Sequence, residues 1–294
     1  MTRYEPALDV ASLRAIDMHV HIQRDSTGRQ SLSQELLDGM DAYFGHSPRA
    51  LNVDELADYY RERSMAAVVF TVDARTAMGV IPNSSEEIAE GAARHPDVLV
   101  PFGSVDPHRG KDAIGQARRL AADSGVRGFK FHPSVQAFDP SDPAFGELWA
   151  ALEELGLPVV IHTGQTGVGA GLPGGGGIKL RYSNPMLIDD VAADFPGLTI
   201  ILAHPSVPWQ DEALSMAAHK SNVFIDLSGW SPKYFAPALV RQAGTILQDK
   251  VLFGSDYPAL TPDRWLADFE RLDIKDAARP KILKDNAVRL LGLG

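Results

Sequence analysis

The chain has 294 residues, 45% of them hydrophobic and 22% charged, which is enough apolar material for an ample globular core. Its formal net charge of −10, with no clustered Lys and Arg to neutralise phosphates, argues against a nucleic-acid partner and for a small-molecule substrate. Cysteine is absent, which excludes disulfides, thiolate ligands and thiol nucleophiles and leaves His, Asp, Glu or a modified Lys to hold any transition metal.

From the N-terminus, MTRYEPALDVASLRAID carries no apolar targeting stretch, and no later run approaches the ~20 apolar residues of a membrane span. A cytoplasmic protein without a membrane partner is therefore expected. The first strand-like run is AIDMHVHI (15–22). Alternation puts Asp17, His19 and His21 on one face and Met18, Val20 and Ile22 on the other. Two aimed imidazoles suggest a metal, although H-x-H alone also describes an exposed edge strand or satisfied core histidines.

Seven further strand-like runs follow: AAVVFTV (66–72), VLVPFGSV (98–105), VRGFKFH (126–132), LPVVIHT (157–163), LTIILAH (198–204), NVFIDLS (222–228) and KVLFGSD (250–256). Amphipathic patterns with capping-type residues lie between them at 52–64, 83–95, 110–125 and 142–156, further helical patterns follow at 184–197, 208–219, 232–247 and 262–272, and 277–292 closes the chain. Eight strand-plus-helix units fit an α/β fold of the (β/α)8 TIM-barrel type, a single domain over 1–294, better than an open doubly wound sheet. No G-x-G-x-x-G follows the first strand, which counts against a dinucleotide site.

His21, His132, His162, His204, Asp226 and Asp256 all fall at the C-terminal ends of these strands, where barrel enzymes build their sites. Any one of them alone reads as a satisfied core residue. Their shared address reverses that reading. After His162 comes GQTGVGAGLPGGGGIKLRYSNP (164–185), which does not match a P-loop. It reads either as a mobile active-site loop whose Lys179, Arg181 and Tyr182 hold a carboxylate or phosphate, or as a connector with a solvated basic end. Trp209 and Trp230, just past strand ends, line an aromatic pocket or cap the rim. His46, His95 and His219 read as surface residues.

Together, DMHVHI, VIHTG, LAHPSVPW, LFGSDYP and the tail KILKDNAVRLLG resemble the amidohydrolase superfamily. The nearest branch is the amidohydrolase-related group of aminocarboxymuconate semialdehyde decarboxylase, other non-oxidative decarboxylases and lactone hydrolases. The resemblance implies one divalent metal held by His19, His21, His162 and Asp256. Three imidazoles and a carboxylate suit Zn²⁺, with Mn²⁺ or another divalent ion as alternatives. It also implies Asp256 as the proton acceptor and His204 as the residue that orients water or polarises substrate. Lys130, in GFKFHP, stands where binuclear relatives carry a carboxylated bridging lysine. The one-metal branch instead makes it an anchor for an anionic group, within a substrate-contacting set of Lys130, His132, Arg181, Tyr182, Trp209 and Trp230.

Metal-activated water acting on a lactone, amide or β-ketoacyl thioester is the expected chemistry. The thioester enters because DLSGWSPKYF and LFGSDYP are similar to a subgroup of bacterial aromatic-catabolic proteins for which that hydrolysis has been proposed. Non-oxidative decarboxylation of an aromatic or muconate-type acid is the alternative, and a catalytically silent ligand-binding barrel is the alternative of another class. Relatives commonly form dimers, so the resemblance also admits a homodimer.

Overall fold

A computed structural model describes residues 2–45 and 50–293, so His46 lies outside the described residues. The eight apolar runs form eight short parallel strands: β1 (Ala15–His21), β2 (Met65–Phe70), β3 (Leu99–Pro101), β4 (Phe129–Phe131), β5 (Val159–His162), β6 (Ile200–Ala203), β7 (Val223–Asp226) and β8 (Val251–Leu252). They pair in sequence order as β1-β2-β3 and β4-β5-β6-β7-β8. Two seams close the ring. Gly103 bridges Phe129, with Lys130 N–H donating to Gly103 O at 2.7 Å. Val20 bridges Tyr257, with Met18 N–H donating to Phe253 O at 3.0 Å and Asp256 N–H to His19 O at 2.9 Å. The result is a TIM barrel whose strands are buried on both faces, which is why they read as apolar runs.

Helices at Val53–Arg61, Ser85–Arg94, Lys111–Arg119, Gly146–Leu155, Asp189–Asp194, Gln210–His219, Pro237–Ala243 and Pro262–Phe269 follow the successive strands. Local chemistry starts them: Asn52 and Glu55 form a reciprocal capping box on Val53–Arg61, and Thr261 caps Pro262–Phe269. Their apolar stripes, such as Leu56, Ala57 and Tyr60, bury against the outer faces of the strands. A separate cluster of Ile16, Met18, Val68, Phe70, Val100, Phe102, Val160 and Ile201 fills the interior below the catalytic end. Each such side chain contributes roughly 1.5–3 kcal/mol on burial. Among the described residues no helix is long and apolar enough to cross a membrane.

Two local features differ from the sequence reading. Strict alternation along β1 fails, because its register with β2 shifts between Asp17 and Val20. Met18 therefore joins Ile16 in the interior cluster, while Asp17 turns from the face of His19 and His21 to Tyr60 on the helix side. An irregular step of this kind re-aims one side chain, and here it frees the Asp17 carboxylate to act as a staple. Its Oδ1 accepts from His19 N–H (3.1 Å) and Ser255 N–H (2.8 Å), and its Oδ2 accepts from the Tyr60 hydroxyl (2.7 Å).

The second difference is a helix at Gln34–Phe44 in the segment after β1, where no element was expected. Ser33 caps it by accepting from Leu36 N–H, and Gly45 ends it in the left-handed region. The glycine-rich segment packs directly on this helix: a Cβ at Gly167 would lie 2.7 Å from the Phe44 ring, and one at Gly39 would lie 3.0 Å from Leu172. A side chain at Gly167 would force the Phe44 ring to move, and one at Gly39 would crowd Leu172.

Asp17→Ala strands three buried donors at once and is expected to lower stability by about 3 kcal/mol. Asp17→Asn, nearly isosteric, keeps one acceptor oxygen for the two N–H groups and should lose about 1 kcal/mol or less. Urea unfolding of both variants checks this, and equal losses would remove Asp17 from its stapling role.

Candidate metal centre and pocket

The strand ends converge on one cluster. His19 Nε2, His21 Nε2 and Asp256 Oδ1 form a triangle with edges of 3.3 Å (His19–His21), 3.4 Å (His19–Asp256) and 3.2 Å (His21–Asp256). Donor atoms about 2.0–2.1 Å from a tetrahedral ion lie about 3.3 Å apart. The triangle therefore has the edge lengths of one face of a zinc-type site, and its two nitrogens and one oxygen are suitable donors.

The tautomer of His19 supports the same reading. Its Nδ1 lies 2.9 Å from Asp226 Oδ2, a carboxylate held well below the usual range. Burial works to raise Asp226, but the charge and hydrogen bond of His19 outweigh it. A carboxylate can only accept, so Nδ1 carries the proton and Nε2 offers its lone pair to the triangle. Lys130 Nζ approaches that same lone pair at 3.1 Å. The lysine is fully buried and lies over the Phe70 ring at 5.0 Å; burial lowers it to about 8.

His162 and His204 stand beside the triangle. His204 Nε2 meets His162 Nδ1 at 3.0 Å, and Ser228 Oγ lies 2.9 Å from His204 Nδ1 and 3.0 Å from His19 Nδ1. With the His19 Nδ1–H directed at Asp226, the tautomers that leave the His162 Nε2 lone pair free put the His162 proton on Nδ1, donated to His204 Nε2, and the His204 proton on Nδ1, donated to Ser228 Oγ. His162 Nε2 is buried without a hydrogen-bond partner among the described residues, an orphan that a ligated cation would satisfy. His162 does not belong to the close triangle; its Nδ1 meets His204 and its Nε2 is the nitrogen left for a cation. His132 stacks on His162 with ring centroids 3.7 Å apart and puts its Nε2 3.2 Å from Thr166 Oγ1.

His204 and Asp256 both adopt left-handed backbone, with φ of 73° and 68°. Such angles cost non-glycine residues roughly 1–3 kcal/mol each and persist where the surroundings fix them. His204 follows β6 directly and Asp256 lies four residues after the end of β8, both at the C-terminal face of the barrel. Burial lowers His19 to about 3 and also depresses His132, His162 and His204, so these imidazoles are neutral. Asp256 is about one-fifth exposed; although burial pushes it up, the hydrogen bond from His21 and the nearby imidazoles hold it below the normal range.

Above the triangle opens a cavity of about 400 Å³. Its floor is His21, His132, His162, His204 and Asp256, and its walls are mostly apolar: Ile22, Leu32, Met40, Val72 and Val135, with Tyr43, Phe44, Trp230 and Tyr234 at the aromatic positions. Met40, Tyr43 and Phe44 come from the Gln34–Phe44 helix, and Gln165, Thr166, Gly167 and Val168 from the glycine-rich segment.

Of the substrate-contacting residues expected from sequence, His132 and Trp230 line this cavity, and Lys130, Arg181, Tyr182 and Trp209 do not. Lys130 sits too deep, two residues before the strand-end His132. Arg181 is exposed and pairs with its neighbour Tyr182 at 3.2 Å, because the segment turns outward after Gly177. Trp209 opens the helix Gln210–His219, off the cavity wall. Sequence reasoning missed the Gln34–Phe44 wall, although the Ser33 cap and Gly45 stop were signals for it. It also missed Arg264, which lines the cavity mouth.

The amidohydrolase family profile matches residues 16–293. Among solved structures, the chain is similar to an uncharacterized TIM-barrel protein from Bordetella bronchiseptica, with a TM-score of 0.78, 24% identity and coverage of 95% of this chain and 99% of that one. It is also similar to 5-carboxyvanillate decarboxylase from Sphingomonas paucimobilis (TM-score 0.67, 16% identity, 96% and 99% covered). A third similar structure is a dihydroxybenzoic acid decarboxylase from Polaromonas with bound manganese and an inhibitor, 2-nitroresorcinol (TM-score 0.65, 18% identity, 96% and 97% covered). No curated protein sequence matches significantly.

The buried imidazoles set an expected pH dependence for the metal-free protein. The native state holds four of them neutral, whereas the unfolded chain binds protons below about 6.5. Stability is therefore fully present above about pH 6.5 and falls as pH drops below it. Asp17, raised by burial to about 7, slopes the other way but is one group against four. Thermal unfolding between pH 7.5 and 5 should show a falling midpoint; a flat profile would mean that these imidazoles are not held neutral.

Proposed function

The chain belongs to the amidohydrolase family, and from that premise we propose that it is a metal-dependent hydrolase for a small anionic substrate with an aromatic or otherwise apolar body. The chain is an amidohydrolase-superfamily enzyme, and its family is metal-dependent. The observation that carries the hydrolytic reading is the make-up of the cavity floor, a carboxylate and four imidazoles, of which Asp256 and His21 form the donor triangle with His19. Asp256 is held below the usual carboxylate range, and burial pushes His132, His162 and His204 below the usual imidazole range. A floor made of bases is suited to taking a proton from water. It offers no ready acid for protonating a carbon.

In this reading His19, His21 and Asp256 hold the ion, and His162 supplies the fourth donor. The three-nitrogen, one-oxygen set favours Zn²⁺. When bound, such an ion acts as a Lewis acid and brings the pKa of water towards about 7. Asp256 accepts the proton of the attacking water and later returns it to the leaving group. His204, a neutral base beside this donor set, orients the attacking water and, once it has taken up a proton, stabilises the oxyanion that develops on the substrate. Asp226 fixes the tautomer of His19, and Ser228 fixes that of His204. The apolar walls bury the substrate body and exclude bulk water. The preferred substrates are lactones, amides or β-ketoacyl thioesters of aromatic acids.

Decarboxylation of an aromatic acid is the second reading, favoured by the decarboxylases among the structures that share this fold. It needs a proton donor to carbon, which on this floor would be Asp256 or His204 after an earlier proton uptake.

Purified protein is expected to hold about one divalent ion per chain by elemental analysis, and Asp226→Asn should weaken metal affinity about 10–100-fold by loosening His19. Metal-free protein with chelator-insensitive activity would remove the metal reading. Asp256→Asn should keep the fold and lose at least ~10²-fold in turnover, and His204→Ala should lose roughly 10²–10³-fold. Acid release and CO₂ release, followed separately on lactones, acyl thioesters and aromatic acids, decide between the two chemistries; CO₂ from an aromatic acid would overturn the hydrolase reading.

A further inference from the structure

Arg264 is the lone Lys or Arg among the residues lining the cavity, and with Asp256 it makes up the formally charged pair there. It is exposed and, among the described residues, has no ion-pair partner. That is unexpected in a chain where 38 acidic residues outnumber 28 basic ones. Its neighbouring carboxylates are engaged elsewhere: Asp263 pairs with Arg63 at 2.8 Å, and Asp268 bonds the Ser231 hydroxyl and meets Arg271 at 3.4 Å. Leu260, Trp230 and Tyr234 line the same cavity, and none of them is a carboxylate. The lining of this largely apolar cavity thus includes one guanidinium without an ion-pair partner among the described residues, together with the candidate ion-binding residues His21, His162 and Asp256.

Size makes room for a second group. A cavity of about 150 Å³ accommodates benzene, and this one is about 400 Å³. We propose that Arg264 binds a second carboxylate of the substrate, separated by an aromatic or aliphatic body from the group that reacts at the His19–His21–Asp256 floor. The inference rests on the hydrolase reading for what happens at the floor, and it adds that the substrate is a diacid or a derivative in which one acid is free. A single guanidinium with no second cation beside it matches a carboxylate, whose two oxygens accept its paired N–H donors, better than a doubly charged phosphate. The site would then discriminate by charge at its mouth and by chemistry at its floor, two requirements that a monoacid meets only in part.

The test is equilibrium binding to the metal-loaded protein by calorimetry, using unreactive pairs that differ in one carboxylate: terephthalate against benzoate, and adipate against hexanoate. The diacid of at least one pair should bind ~10-fold more tightly, as expected for a charge-assisted bidentate contact. Arg264→Met should close that gap while leaving the monoacid affinity, metal content and thermal midpoint unchanged. Arg264→Lys should restore part of it. The absence of a diacid preference in the wild type, the failure of both diacids to bind, or the same preference in Arg264→Met would overturn the proposal. Loss of the preference in Arg264→Met from a protein that hydrolyses none of the substrate classes would keep Arg264 as the anchor and remove the hydrolase reading instead.

Discussion

One carboxylate oxygen connects the first strand to the last. Asp17 Oδ1 accepts from the backbone of His19 and of Ser255, the residue before Asp256, so it lies between the chain segments that carry two corners of the donor triangle. Short strands give this barrel few ladder bonds at the β8–β1 seam, and β8 itself spans only Val251–Leu252. The seam is therefore held by irregular contacts: this oxygen, the Asp256-to-His19 backbone bond and the Val20–Tyr257 bridge. The triangle exists because the barrel closes there, and the break in β1 alternation turns Asp17 outward to perform that closure.

The site built on this seam is organised by desolvation. Four imidazoles with little or no access to water stay neutral, so their lone pairs are available as donors, and the hydrogen bonds of Asp226 and Ser228 choose which nitrogen is free. Lys130 fits the same logic. Its ammonium approaches the His19 lone pair that a divalent ion would use, and burial brings its pKa down to about 8. A cation held weakly at that position keeps His19 in the correct tautomer and yields readily to a stronger Lewis acid.

Much of this was legible in the chain because periodicity records what a residue faces. All eight strands fall within the apolar runs, or begin a residue ahead of them, because a strand buried on both sides is mostly apolar and keeps polar residues only where the site or a buried staple uses them. His21, His132, His162, His204 and Asp256 could be grouped because topology alone fixes the ends of parallel strands. Register was less visible: the slip after Asp17 depends on the neighbouring strand, not on local composition. Least visible were the loops. Nothing in the sequence indicates that the segment after Gly177 turns Arg181 and Tyr182 away, that Trp209 falls off the wall, or that Arg264, seated in an ordinary helix, reaches the mouth. Those facts depend on where separate loops meet in space.

The roof of the cavity consists of such a meeting. The Gln34–Phe44 helix and the glycine-rich segment touch through Gly167 on Phe44 and Gly39 on Leu172, and neither contributes a strand to the barrel or a donor to the triangle. The two insertions form a detachable module whose mutual fit depends on a few missing Cβ atoms. In evolution or in the laboratory, such a module can be exchanged as a matched pair to redirect the enzyme to differently shaped compounds, while the reactive floor is inherited intact. Exchanging one half alone would bring two incompatible surfaces together.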